Sequence, residues 1–282
     1  MAMEYALRIA SPDSAYKAPC EFCTADLCGA GLGELCPDAQ LTALYFGTEF
    51  CQELIPGIRD TEAFCAHCKE RGLEAVLLTP LVTHKGLNRL DRLLGSLAKR
   101  GMLPAIVFND WGVLELLRKK YTSFPLRMGR LMNRGLRDPR LDMQASGPGG
   151  ENTQRGTGIR KLAFSLGVTA LESDADLEPG YLGDGVDGLK RALHVPFTFA
   201  ASGRNCLEKA AAAPAGKGIL TKGLNSGCKA PCRGIFRKEN RQDTQKEMWR
   251  AGNTLFFKAP PEWISRHIVL VDRVVFHEQP IP

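Results

Sequence analysis

Ten cysteines among 282 residues are the first chemistry this chain offers. They sort into three groups. Cys20, Cys23, Cys28 and Cys36 share one N-terminal stretch with the spacing C-x2-C-x4-C-x7-C. Such a quartet suits a metal, zinc or an iron–sulfur cluster; incidental or redox-active thiols are the other reading. Cys65 and Cys68 frame CAHC on a helical segment. His67 points away from the Cys65 side, since neighbours one or two apart share no helix face, and this pair reads as bystanders. The third group is Cys51, Cys206, Cys228 and Cys232. The last two stand in NSGCKAPCR, where Gly227 and Pro231 favour a fixed turn that points both sulfurs inward. Cys51 follows a strand-like run ending YFG, and Cys206 follows another. In a parallel barrel both would lie past C-terminal strand ends, on one face. With the CxxxC pair they make a four-thiolate cage suited to zinc or an iron–sulfur cluster. The competing reading is that Cys51 and Cys206 are merely small buried residues.

Other reactive groups are sparser. Asn109 and Asp110 follow a strand directly, as polar active-site residues at a barrel mouth do; Asp110 equally suits an N-cap for the helix beyond it. Glu172, near another strand end, is a candidate acid or base. Arg130, Arg137 and Arg140 could pair bidentately with a carboxylate or phosphate. They belong to a basic run from Arg118 to Arg140 opposed only by Asp138, and a second basic stretch runs from Lys222 to Arg250. Solvated faces are the plain reading of such runs; an anionic small molecule or RNA is the functional one. No HExxH, GxSxG or CxxxCxxC occurs, so the common zinc-protease, serine-hydrolase and radical-SAM signatures are absent. Ser202 would need a base within reach to act as a nucleophile.

The elements that must position these groups alternate. Strand-like runs cover Tyr5–Ala10, Leu41–Gly47, Ala75–Thr79, Pro104–Phe108, Phe124–Met128, Thr169–Glu172, Pro196–Ala200, Thr254–Lys258 and Ile268–Phe276. Leu87, Leu90, Leu93, Leu94 and Leu97 fall on one helical face. Val113, Leu114, Leu116 and Leu117 mark a second helix, and Ile159, Leu162, Ala163 and Leu166 a third that ends at Gly167. Such alternation predicts a mostly parallel sheet, closed as an incomplete or distorted (β/α) barrel, with a doubly wound sheet as the alternative. A single domain is expected over 1–282. It carries a cysteine-rich loop insertion at 11–40 and a glycine-rich one at 141–158, with Gly147–Gly158 read as loop, not helix or strand.

Composition bounds the rest. The chain is 44% hydrophobic and 24% charged, an ordinary globular balance. Its net charge of +6 is too small to require nucleic acid. No apolar stretch approaches the roughly 18 residues of a membrane span. Met1–Ala15 lacks a basic segment followed by an apolar one, so a cytoplasmic chain is expected, in which clustered thiols bind metal or do chemistry.

Five segments together resemble a known family: LYFGTEFC (Leu44–Cys51), VFNDWGVLELL (Val107–Leu117), GRLMNRGLRDPR (Gly129–Arg140), SGRNC (Ser202–Cys206) and LNSGCKAPCR (Leu224–Arg233). The resemblance is to peptidase family U32 (collagenase-like), closest to its UbiV/UbiU branch of ubiquinone-biosynthesis, oxygen-independent hydroxylation proteins. It implies a TIM-barrel-like fold and a 4Fe–4S cluster on Cys51, Cys206, Cys228 and Cys232. It also implies hydroxylation of an aromatic quinone precursor or of RNA, with a paralogous U32 protein as partner in a hetero-oligomer. Peptidase activity, or a non-catalytic metal-stabilised subunit or RNA-binding scaffold, are the alternatives.

Overall fold

The computed structural model describes residues 3–11, 40–133, 137–141, 157–177, 188–204, 206–211 and 228–282. The quartet Cys20, Cys23, Cys28 and Cys36 and residues 147–156 of the glycine-rich stretch lie outside them.

Eight parallel strands close into a barrel in the order β1-β12-β7-β6-β5-β4-β3-β2. They are β1 (Glu4–Arg8), β2 (Gln40–Gly47), β3 (Glu74–Leu78), β4 (Ala105–Phe108), β5 (Leu126–Met128), β6 (Val168–Asp174), β7 (Lys190–Val195) and β12 (Arg273–His277). Helices α1 (Ile58–Glu70), α2 (His84–Lys99), α3 (Trp111–Lys120), α4 (Thr157–Ser165) and α6 (Pro261–Ile268) lie between strands. This is a TIM-like α/β barrel. The apolar face of α2 explains its place: Leu90, Leu93, Leu94 and Leu97 are buried, spaced for one side of a 3.6-residue turn.

A second sheet stands apart. Strands β8 (Phe197–Ser202), β9 (Arg237–Glu239), β10 (Met248–Ala251) and β11 (Thr254–Lys258) pair antiparallel in the order β8-β11-β10-β9. The short helix α5 (Leu207–Ala211) follows β8. This corrects the expectation that the runs at Pro196–Ala200 and Thr254–Lys258 belong to the barrel. Only Pro196 separates β7 from β8, and a parallel neighbour needs a crossover of a dozen or more residues. The barrel strand at that position is instead β7, whose Lys190, Arg191 and His194 break the apolar run. Ile268 likewise closes α6, not a strand: Pro261 opens that helix, and Ile264, His267 and Ile268 form its buried face. Thr157 and Gly158 belong to α4, not to a loop. The chain leaves α4 through Gly167, whose φ of +76° a side chain would strain.

The barrel interior alternates small apolar and large polar residues. Ala6, Ala43, Ala105 and Ala192 belong to the inner apolar cluster with Tyr45, Val76, Leu78, Val107 and Val275. The small side chains leave room for buried Arg127 and Arg273. Toward the C-terminal strand ends, Asn109 staples three strands. Its Nδ2 donates to the Thr79 carbonyl (2.9 Å) and its Oδ1 accepts from the Leu131 N–H (3.1 Å). Gly129 is required beside it, because a Cβ there would lie 2.1 Å from Asn109 Oδ1. Gly129→Ala should therefore destabilise the protein by about 1–3 kcal/mol, the usual cost of overpacking. A lowered urea midpoint checks this; an unchanged midpoint contradicts the staple.

Candidate functional site

The four cysteines of the third group line one cavity of about 760 Å³. They reach it from three chain segments. Cys51 caps a short 3-10 helix, Gln52–Leu54, just past β2. The N–H groups of Glu53 and Leu54 point at its sulfur. Cys206 precedes α5, and the N–H groups of Lys209 and Glu208 point at its sulfur. Cys228 accepts the Ala230 N–H at 3.3 Å, in a turn where Ala230 holds φ at +53°. Cys232 packs against the β10–β11 turn; a Cβ on Gly252 would lie 3.2 Å from its sulfur.

These sulfurs feel one another. The Cys232 thiol donates to Cys206, and this bond first, then the backbone N–H groups against burial, lowers Cys206 to about 6. The same bond, with burial, raises Cys232. Burial raises Cys51, and the charges of Cys206 and Cys228 add to it. Deprotonating all four would crowd negative charge in a half-buried space, which a cationic centre relieves. Among the described residues no group of three or more His, Cys, Asp or Glu side chains forms a site for a single metal ion.

Two devices hold the cysteine loops in place. Asn253 Nδ2 donates to the carbonyls of Phe50 and Gly203, both at 2.7 Å, clipping the Cys51 loop to the Cys206 loop. Arg130, fully buried, grips Glu49 through Nη2 (2.5 Å) and Nε (3.2 Å) and Asp174 through Nη1 (2.7 Å). Its guanidinium also lies over the Phe50 ring, 5.4 Å from the centroid. Glu49, Phe50 and Cys51 are thus anchored as consecutive residues. Arg137 holds the other Asp174 oxygen (2.8 Å) and lies over Phe199 of β8 at 4.4 Å, linking the barrel to the second sheet.

The remaining predicted residues have other places. Asp110 caps α3, accepting from Gly112 (2.7 Å) and Val113 (3.4 Å), and also takes the Val82 N–H (3.2 Å). Arg140 is exposed and paired with Asp138 at 2.6 Å. Glu172 lies inside the barrel, bonded to Arg127 Nε (2.6 Å), Tyr45 Oη (3.2 Å) and His194 Nε2 (2.8 Å). Burial opposes its charge, but Arg127 and the His194 N–H overcome this and hold its carboxyl at about 2. Cys65 and Cys68 are buried in the layer between barrel and helices. Burial pushes both thiols up to about 12. Ser202 meets Thr254 Oγ1 at 3.2 Å. The cations lining the cavity are Lys85, Arg204 and Lys209, none with an ion-pair partner among the described residues. Charge runs did not point to them, since each is isolated in sequence. Asn253 had a signal: Gly252–Asn253 is a two-residue turn between strand-like runs.

No protein-family model matches the chain. No curated protein matches it. Among solved structures, it is similar to a U32 peptidase, Mk0906. The TM-score is 0.47 and the identity 12%, over 100% of this chain and 94% of that one. It is also similar to a mutant plant class V chitinase from Cycas revoluta solved with (GlcNAc)3. There the TM-score is 0.37 and the identity 9%, over 98% and 94% of the two chains. Both likenesses are distant, and neither carries a function to this chain.

Arg130→Met would leave Glu49 and Asp174 buried without their shared cation, a loss of about 3–5 kcal/mol. Burial opposes the Glu49 charge, yet the Arg130 guanidinium holds its carboxyl below the usual 4.5. That stability is present above the usual carboxylate pKa and lost as pH falls through the lowered value. Urea unfolding should show the full deficit near pH 7 and a smaller one near pH 3, as the stranded Glu49 protonates. Equal deficits at both would contradict the pairing.

Proposed function

We propose that this chain is an iron–sulfur protein of the U32 type, with Cys51, Cys206, Cys228 and Cys232 as ligands of a 4Fe–4S cluster. One observation carries the proposal: four thiols, from three separate segments, line one cavity. The donor set is thiol only, which suits iron–sulfur clusters. Zinc would draw all four sulfurs onto one ion at about 2.3 Å each. Here Cys206 and Cys232 are in hydrogen-bond contact, and Cys51 and Cys228 interact with them electrostatically. The choice of a cluster over zinc rests on the five segments that resemble the UbiV/UbiU branch.

A bound cluster supplies electron transfer. The protein's own part is to hold the acceptor beside it. Lys85, Arg204 and Lys209 attract an anionic group, and Phe50, Leu54 and Leu81 give the cavity an apolar wall. The reaction we assign is oxygen-independent hydroxylation of a quinone precursor or of RNA, with a paralogous subunit as partner. It rests on the five sequence segments that resemble the UbiV/UbiU branch. A U32-type peptidase reading gains no support at Ser202, which among the described residues is bonded to a threonine hydroxyl and not to a base.

Anaerobic purification followed by iron and sulfide assay tests the site. The protein should be coloured, with iron and sulfide in the ratio of a 4Fe–4S cluster. Cys228→Ala should lose the colour and Cys65→Ala should keep it. Colourless protein with stoichiometric zinc, or equal behaviour of the two variants, would contradict the assignment.

A further inference from the structure

A second cavity, of about 470 Å³, lies past the ends of β1, β2 and β12. It shares Leu54 and Cys232 with the thiol cavity, and different residues wall the rest of it.

Much of that wall is apolar: Phe46, Leu54, Pro56, Ile235, Phe236 and Ile281 line it. Ile235 and Phe236 are unusually open for their size, at 48% and 38% exposure. The turn after Cys232 holds them there. The Ile235 N–H donates to the Cys232 carbonyl at 3.0 Å, and Gly234 takes a φ of +71°. The Phe236 ring meets Trp249 edge-on, 5.6 Å between centroids, so it is supported while part of it stays open. Large apolar groups gathered on one concave wall fit an apolar ligand.

Two opposite charges line the same cavity, Asp60 and Arg233. Asp60 stands in the first turn of α1, with its Oδ2 3.3 Å from where a Cβ on Gly57 would lie. Arg233 follows Cys232 directly. Neither side chain has an ion-pair or hydrogen-bond partner among the described residues, and the two do not pair with each other. A helix start favours an anion, which accounts for Asp60 alone. It does not account for an unpaired guanidinium on the wall of the same cavity. A carboxylate and a guanidinium held apart match a ligand that carries both an ammonium and a carboxylate.

We propose that this cavity binds a free α-amino acid with a large apolar side chain. Asp60 takes the ammonium, Arg233 the carboxylate, and the wall of Phe46, Ile235 and Phe236 the side chain. The cavity volume is within the usual range for small-molecule pockets. Cys232 would bring such a ligand beside the thiol centre, yet the site stands whether or not the four cysteines hold a cluster.

Titration calorimetry of the full chain with L-phenylalanine, N-acetyl-L-phenylalanine, L-phenylalanine amide and glycine tests it. The two blocked forms each lack one charge and also stand for the two ends of a peptide. L-Phenylalanine should bind most tightly. Each blocked form should bind about tenfold more weakly, the worth of one charged hydrogen bond. Glycine should bind about tenfold to a hundredfold more weakly, for want of the apolar side chain. Asp60→Asn should bring L-phenylalanine down to the N-acetyl level and Arg233→Gln down to the amide level. Both should keep the thermal midpoint, because both side chains are exposed. Absence of binding by L-phenylalanine, a blocked form or glycine binding as tightly, or binding unchanged in either variant would overturn the proposal.

Discussion

The grip of Arg130 on Glu49 and Asp174 is the contact on which the rest of the mouth depends. All three side chains are buried. Removing such charges from water costs several kcal/mol per ion, and only close, multiply bonded geometry offsets it. Arg130 meets that condition with a two-toothed hold on one carboxylate and a third bond to another. The consequence is positional. Glu49 is two residues from Cys51, so fixing Glu49 fixes where the first thiol can be. Asp174 passes the constraint through Arg137 to Phe199 on the second sheet, which carries the chain on to Cys206.

The barrel tolerates so much charge because of what stands opposite it. Alanines on β1, β2, β4 and β7 leave space inside, and Arg127, Glu172, His194 and Arg273 fill it with bonded pairs. The N-terminal end is closed by Arg273 with Glu4 and Glu74. Toward the other end Arg130 bonds Glu49 and Asp174, while Arg8 Nε and Nη1 and His277 Nδ1 have no hydrogen-bond partner among the described residues.

Much of this was legible in the sequence. The leucine stripe of α2, the strands around Ala43 and Val107, and the Gly167 stop each carry a local signal that packing reinforces. The second sheet was not, because an antiparallel strand in an insertion has the same apolar alternation as a barrel strand. Only the single residue between β7 and β8 tells them apart, and β7 is hidden by its charged and histidine positions. The third cysteine group does meet in one cavity, though by a different route for Cys206: it follows an antiparallel strand, not a barrel strand. Arg130 and Glu172 stood out as polar residues near strand ends, but their partners Glu49, Asp174, His194 and Arg127 lie 22 to 81 residues away. Contacts of that span leave no periodic trace in a single chain.

Four cysteines serving as one centre is the central claim. X-ray absorption at the iron edge of the anaerobically purified protein tests it most directly. The account predicts a first shell of sulfur alone and a second shell of iron, as four cysteines on a cluster require. Nitrogen or oxygen in the first shell, the absence of iron–iron scattering, or zinc in place of iron would contradict it.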